Sequence, residues 1–259
     1  MRSDMRETLT GRLGGKTALI TGSSRGLGRA IAKAYTAEGA RVVINSRSAA
    51  TAEAAAAEVG GGAIGIGADV SNKDGIARLV DEVLAEFGRL DILVNNAGMS
   101  MVRDSTELTL EEWQATLDLN LTGPFLCAQL AGRHMLSKGG GVILNISSIT
   151  AFDGFPRRLA YATAKAGLVM MTKILAIEWA PDVRVNAIAP GFVETDFVLE
   201  LAGQGKVDLD ALRRRTPQGR LGRGADVAAA AVFLASDEAS FITGTTLVTD
   251  GGWLAYGFV

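Results

Sequence analysis

The chain of 259 residues holds 32 glycines, 48% hydrophobic and 21% charged residues, but one histidine and one cysteine. Disulfide scaffolds need paired thiols and structural zinc sites need clustered Cys or His, so Cys127 and His134 supply neither. A histidine-assisted nucleophile would rest on His134, which has no orienting acid beside it and reads as an ordinary histidine near a helix end. With 26 basic and 28 acidic residues the formal charge of -2 points to neither nucleic acid nor an anionic membrane, and no uninterrupted apolar run of about 18 residues marks a membrane span.

Residues 1–13 mix Arg2, Arg6 and Arg12 with Asp4 and Glu7 and lack an apolar signal core; they read as a flexible tail before a cytoplasmic domain. From Lys16 onward, short β-branched runs alternate with longer stretches of helical spacing, the pattern of repeated βαβ units. In chain order the spacing predicts a strand over 17–21, a helix over 27–38, a strand over 41–45 and a helix over 49–59. A strand over 63–67, a helix over 73–87 and a strand over 92–95 follow, then one long helix over 110–136. The last part holds a strand over 142–146, a helix over 160–179 stopped by Pro181, a strand over 184–189, a helix over 225–235 and a strand over 246–249. Gly39 and Gly88 fall just past helix ends, where a left-handed residue is favoured. The strands are apolar throughout rather than alternating, so the expected fold class is α/β: a doubly wound parallel sheet with helices on both faces, in one domain over 14–259. The irregular stretch 194–224 reads as a lid or substrate loop.

The first strand runs into Gly22-Ser23-Ser24-Arg25-Gly26-Leu27-Gly28 and then a helix. Glycines there let the backbone approach a pyrophosphate, and the helix N-terminus offers unpaired N–H groups, so Gly22, Ser24, Arg25, Gly26, Leu27 and Gly28 are candidate dinucleotide contacts. A turn kept glycine-rich for tight packing alone is the competing reading. An NAD site usually carries an acid about 20 residues further on. This chain has Asn45-Ser46-Arg47 instead; with no carboxylate to repel a 2'-phosphate, and with Arg47 and Arg25 to bind one, the expected cofactor is NADP(H). Asp69-Val70 stands where a carboxylate can accept the adenine amino group, and Asn95-Asn96-Ala97-Gly98 allows close approach, with Asn95 read as a structural brace.

Thirteen residues beyond Ser148 stands Tyr161, and Lys165 follows it at i+4 on the same helix face. A phenol is a poor base at neutral pH, and an ammonium nearby lowers its pKa. So tuned, Tyr161 could exchange a proton with a substrate oxygen while hydride moves to or from a nicotinamide.

These residues resemble the short-chain dehydrogenase/reductase family over nearly the whole chain, from about Leu13 to Trp253. The resemblance is carried by the glycine turn, the stretch from Asn95 to Gly98, Asn120, Ser148, Tyr161, Lys165 and Pro190-Gly191, and it implies a Rossmann-type fold. It implies Tyr161 as general acid/base, Ser148 as the hydroxyl on the substrate oxygen, and Lys165 as the group that tunes the tyrosine and binds the nicotinamide ribose. It also implies Asn120 as holder of a relay water, Asn96 and Gly98 beside the cofactor, and Pro190, Gly191, Val193 and Thr195 around the carboxamide. No metal is implied. An idle NADP-binding module is the alternative from another class.

The branch it most resembles contains 3-oxoacyl-acyl-carrier-protein reductases and sugar or polyol dehydrogenases. Asp182 stands where carrier-protein reductases place a basic docking residue, which favours a small hydroxy or keto compound, a sugar, polyol or acid derivative, over a carrier-bound substrate. The pocket is expected from 99–103, 150–160 and 194–217, with Met99, Phe152, Phe155 and Phe192 as apolar wall and Arg157 or Arg158 available to an anion. Arg213-Arg214-Arg215 reads as a solvated run. The resemblance further implies a homotetramer, or a homodimer, through the helices at 110–136 and 160–179 and the C-terminal strand. The apolar end from Trp253 to Val259 is expected at a subunit interface.

Overall fold

The computed structural model describes residues 11–205 and 207–257. The strands are β1 (Thr17–Ile20), β2 (Arg41–Ser46), β3 (Ile64–Gly67), β4 (Ile92–Asn95), β5 (Gly141–Ile146), β6 (Val183–Pro190) and β7 (Thr246–Thr249). The helices are α1 (Gly26–Ala37), α2 (Ala49–Val59), α3 (Lys73–Phe87), α4 (Leu110–Leu117), α5 (Gly123–Ser137), α6 (Leu159–Glu178), α7 (Asp196–Gly203), α8 (Leu209–Arg215) and α9 (Gly224–Ala235). The seven strands form one parallel sheet in the order β3-β2-β1-β4-β5-β6-β7.

Each sheet face has its own core. In β1, Ala18 and Ile20 face Ile31 and Tyr35 of α1 and Val227 and Ala231 of α9; Leu19 faces the other way, toward Ile76 and Leu79 of α3 and Ala131 and Met135 of α5. Both faces being covered explains why the strands read as unbroken apolar runs. The order reverses at β1, whose neighbours are β2 and β4, and the Thr17 N–H donates 2.7 Å to Asp91 Oδ2 across that junction. Such a reversal opens a crevice at the carboxyl ends of the strands. Gly39 (φ +84) and Gly88 (φ +67) take the left-handed conformation expected past α1 and α3.

Three expectations are corrected. The helix over 110–136 is broken: Pro124 has no N–H for the Asn120 carbonyl four residues back, so the chain widens into a π-turn over Asp118–Thr122, with the Gly123 N–H reaching the Asp118 carbonyl. The stretch 194–224 is not irregular, because the Thr195 side chain caps α7 and the Asp208 side chain caps α8. The tail shortens, since Leu13 is fully buried and Arg12 pairs with Glu38 at 2.6 Å; residues 1–10 lie outside the described residues. Helix α6 is long and apolar enough to cross a membrane by length and composition, yet it buries Ala164, Lys165, Leu168 and Thr172 and serves here as a core helix beside β5 and β6.

Candidate active site

The turn after β1 is held by side chains from two neighbouring strands. The Gly22 N–H donates to Asn45 Oδ1 at 3.2 Å, while Asn45 Nδ2 donates to the Ala68 carbonyl at 3.1 Å. Asn96 Nδ2 donates to the Thr21 and Gly22 carbonyls at 2.9 and 3.0 Å, and the Asn96 and Ala97 N–H groups both reach Thr21 Oγ1 at 3.0 Å. A Cβ on Gly28 would stand 2.5 Å from Asn96 Nδ2 and 2.8 Å from the Gly22 carbonyl oxygen, so glycine is required there. Asn96, expected beside the cofactor, is thus also a brace of the turn. Beyond it the first turn of α1 receives no side-chain cap from Arg25, which leaves its N–H groups open toward an anion.

The structure brings Gly26 close to Thr195: a Cβ on Gly26 would lie 4.0 Å from Thr195 Cγ2. Between them runs a cleft of about 230 Å³ lined by Gly26, Arg29, Lys33, Thr195 and Asp196. Leu27 and Ser24 are half-buried on the same turn, and Arg25 and Arg47 are exposed. Asp69 Oδ1 accepts from the Ser71 N–H and hydroxyl at 2.9 and 2.7 Å; these bonds and the Arg47 charge hold its carboxyl below the usual range. Val70 is buried at the end of this loop. Pro190 closes β6, and Gly191 lies so near Asp250 that a Cβ would come within 2.8 Å. Val193 is buried and bridges to Gly222.

At the other end of the crevice a buried polar chain locks α6 to the sheet. Asn95 Nδ2 donates to Asn145 Oδ1 at 2.9 Å, Asn145 Nδ2 to Thr172 Oγ1 at 2.9 Å, and Ser147 Oγ to the Lys165 carbonyl at 3.1 Å. The brace role read for Asn95 holds. Lys165, 4% exposed, donates from Nζ to the Ile146 carbonyl at 2.8 Å, and burial pulls its pKa down to about 8. Its ammonium lies 5.6 Å from the Tyr161 ring centroid.

The Tyr161 phenol lies near enough to the Ser148 hydroxyl for that side chain to act on its pKa. Burial raises the phenol pKa, while the Ser148 hydroxyl and the Arg158 charge pull the other way. Lys165, expected to exert that downward pull, directs its ammonium to the Ile146 carbonyl, and Ser148 and Arg158 act on the phenol in the same downward sense. Burial is the largest of these influences, so the net shift of the phenol is upward. Asn120 sits in the π-turn, its Nδ2 donating to the Met99 and Thr116 carbonyls at 3.1 and 2.9 Å while the buried Oδ1 accepts nothing from the described residues. A Cβ on Gly98 would stand 2.8 Å from that Oδ1 and 3.4 Å from Lys165 Nζ, so Gly98 keeps open the space between them.

Phe155, Phe192 and Trp253 form an aromatic cluster, with Phe192 and Trp253 centroids 4.7 Å apart, and Arg215 lies 4.8 Å over Trp253. Trp253 was not expected in this wall; it is half-buried within the chain, with Arg215 reaching it from α8, and residues 258–259 lie outside the described residues. Met99 and Phe152 are about half exposed. Arg215 leaves the expected solvated run, whereas Arg214 is solvated. His134 accepts from the Leu90 N–H at 3.4 Å, at the opposite edge of the sheet from Tyr161, and Cys127 is a buried core thiol.

A family model described as enoyl-(acyl carrier protein) reductase matches residues 22–254. The chain belongs to the short-chain dehydrogenase/reductase family and is an oxidoreductase acting on CH–OH groups. It is 45% identical over 246 residues to D-threitol dehydrogenase of Mycolicibacterium smegmatis, covering 93% of this chain and 94% of that one. It is 45% identical to 3beta-hydroxysteroid dehydrogenase 1 of Eggerthella lenta, covering 94% and 95%. Among solved structures, a short-chain type dehydrogenase/reductase from Mycobacterium marinum is similar with a TM-score of 0.86 and 37% identity, over 93% of this chain and 96% of that one. Relatives named for NAD and for NADP both occur, so membership establishes a nicotinamide cofactor without settling its 2'-phosphate.

Proposed function

We propose that this chain transfers hydride between NADP(H) and the carbonyl or secondary alcohol carbon of a small hydroxy or keto compound, a polyol, sugar or acid derivative. The observation that carries this reading is the Tyr161–Ser148 hydroxyl pair beside a buried Lys165 fixed on the Ile146 carbonyl. Bound NADPH would supply the hydride. Ser148 orients the substrate oxygen and Tyr161 donates a proton to it in the reducing direction. Lys165 Nζ and Asn120 Oδ1 flank the space kept by Gly98, where a water can pass a proton back to Tyr161.

The residues fit the cofactor. Gly22, Ser24, Arg25, Gly26, Leu27 and Gly28 would hold its pyrophosphate, Arg25 and Arg47 its 2'-phosphate, and Asp69 and Val70 its adenine. Asn96, Gly98, Tyr161, Lys165, Pro190, Gly191, Val193 and Thr195 would hold the nicotinamide half. The phosphate assignment rests on Asn45-Ser46-Arg47, where Asn45 is buried as a brace and Arg47 is exposed and free of any carboxylate partner among the described salt bridges. Arg47→Glu is expected to lower kcat/KM for NADPH relative to NADH by about 100-fold; a wild type preferring NADH overturns the assignment. Tyr161→Phe tests the chemistry: kcat is expected to fall by roughly 1,000-fold with nucleotide affinity retained, and an unchanged kcat removes Tyr161 from its role. An acetoacetyl thioester turned over in preference to every free ketone would favour the carrier-protein reductase instead.

The same reading makes 14–259 one catalytic unit, cytoplasmic, with 194–224 as the substrate segment. It also makes the enzyme a homotetramer: Met170, Ile174 and Ile177 of α6 and Phe125 and Leu136 of α5 are exposed apolar side chains on one face, and Leu247 and Val248 are exposed on edge strand β7. A monomer in light scattering at micromolar concentration would overturn this.

A further inference from the structure

Two arginines stand just before α6, and the backbone sends them apart. Arg157 adopts φ +64, a left-handed conformation uncommon outside glycine, and its guanidinium pairs with Asp104 at 3.2 Å with both side chains more than half exposed. The Arg157 carbonyl accepts from the Arg103 N–H at 3.0 Å, which pins the reversal to the loop after β4. Arg158 then turns inward. It is half-buried, its charge acts on the Tyr161 phenol, and it donates to the Ser100 hydroxyl.

Arg184 shows how this protein treats a half-buried guanidinium that has only a structural task. Its N–H groups donate to the Leu234, Ser236 and Ile242 carbonyls at 2.8, 3.0 and 3.4 Å, and the group is closed. Arg158 has the same chemistry and a comparable burial, but one hydroxyl partner. The nearby carboxylate of Asp104 is taken by Arg157, and no salt bridge among the described residues includes Arg158. A guanidinium carries five donors in a planar fork, and leaving a partly desolvated charge unpaired is costly unless something else supplies the acceptor.

We infer that Arg158 is a substrate-binding residue, and that the compound reacting at Tyr161 carries an oxyanion group, a carboxylate or phosphate, a short distance from its reacting carbon. Arg158 and Ser100 hold that group, so the residue selects keto and hydroxy acids or their phosphate counterparts over neutral polyols and ketones of the same length. The fork geometry suits two-point binding of such a group, which a lysine cannot reproduce.

This inference rests on the hydride-transfer reading, and the test separates the two. Wild type, Arg158→Gln and Arg158→Lys are assayed with NADPH on matched short keto acids, their methyl esters and the corresponding keto phosphates; nucleotide affinity in each variant reports an intact fold. Wild type is expected to favour the anionic members over the esters by about 100-fold in kcat/KM, and Arg158→Gln to erase that ratio mainly through KM, with Arg158→Lys recovering only part of it. The acid arm and the phosphate arm tell which anion is preferred. Equal turnover of acid and ester by wild type, or an equal loss on both in Arg158→Gln, overturns the inference. Calorimetric binding of the acids to the Tyr161→Phe holoenzyme, with and without Arg158→Gln, gives a readout that needs no turnover. Anion binding that depends on Arg158 supports the inference even where the proposed chemistry fails, and binding indifferent to Arg158 overturns it even where the chemistry holds.

Discussion

At the glycine-turn end of the crevice, Thr21 and Asn96 bond each other's backbone and Asn45 links the Gly22 N–H to the Ala68 carbonyl, so the side chains of the turn form a closed polar network. Further along the same sheet edge, Asn120 Oδ1 accepts nothing from the described residues, Lys165 Nζ holds one carbonyl and Arg158 one hydroxyl. The first end is scaffold: the side chains of its turn are satisfied before any ligand arrives, and what it offers is backbone shape and the open N–H groups of the first turn of α1. The second keeps unsatisfied capacity, which a folded protein tolerates at a site that binds or reacts. Substitutions at the two ends should therefore fail in opposite ways.

The widest separation is expected at Lys165. Lys165→Met removes a buried charge whose pKa sits near 8 instead of 10.5, so the folded state gains up to roughly 3 kcal/mol before the lost bond to the Ile146 carbonyl is subtracted. Turnover should nonetheless fall by about 1,000-fold. Thermal unfolding and kcat measured on one preparation check this, and a variant losing both stability and turnover would break the contrast. At the scaffold end, Gly28→Ala pushes a Cβ onto the Gly22 carbonyl and Ser23 backbone, and is expected to cost about 3 kcal/mol and most nucleotide affinity. Asn45→Ala leaves the Gly22 N–H without its acceptor and should cost about 2 kcal/mol by denaturant titration, with nucleotide affinity falling through the loosened turn. Retained stability in both would show the turn to be less tightly braced than its bonds imply.

The smallest effect is a pH dependence. The native Lys165 holds its proton less firmly than the unfolded one, so stability should rise as pH climbs from about 8 toward 10.5, and this rise should vanish in Lys165→Met. Carbonyl reduction should move the other way, declining as pH passes about 8 and the ammonium beside Tyr161 loses its proton. A reduction rate unaffected by pH in that range would separate Lys165 from the proton path.

The parallel fold was legible because buried strands such as β1 and β4 are apolar on both faces and the helices between them end at Gly39 and Gly88. The glycine turn, Ser148, Tyr161 and Lys165 were legible because their chemistry needs particular residue types at local spacing. The braces were less so: apart from Asn95, whose structural role was readable, the partners of Asn45, Asn145 and Thr172 lie far off in sequence, as Asn95 and Asn145 do at 50 positions apart. Helices α7 and α8 are too short for periodicity to declare them. Which of Arg157 and Arg158 turns inward depends on one backbone angle at Arg157. Pro124 was a readable break inside the long helix, but its effect, a π-turn that seats Asn120, required knowing what the widened turn packs against.

The pairing of β1 with β4 also sets an order of assembly. On a growing chain β1, β2 and β3 can pair as they emerge, while the other edge of β1 waits for residues 74 positions further on, as the Thr17–Asp91 bond records. The glycine turn draws Asn96 and Ala97 from that same late strand end. A nascent N-terminal half consequently has no finished glycine turn, which closes only after β4 has docked.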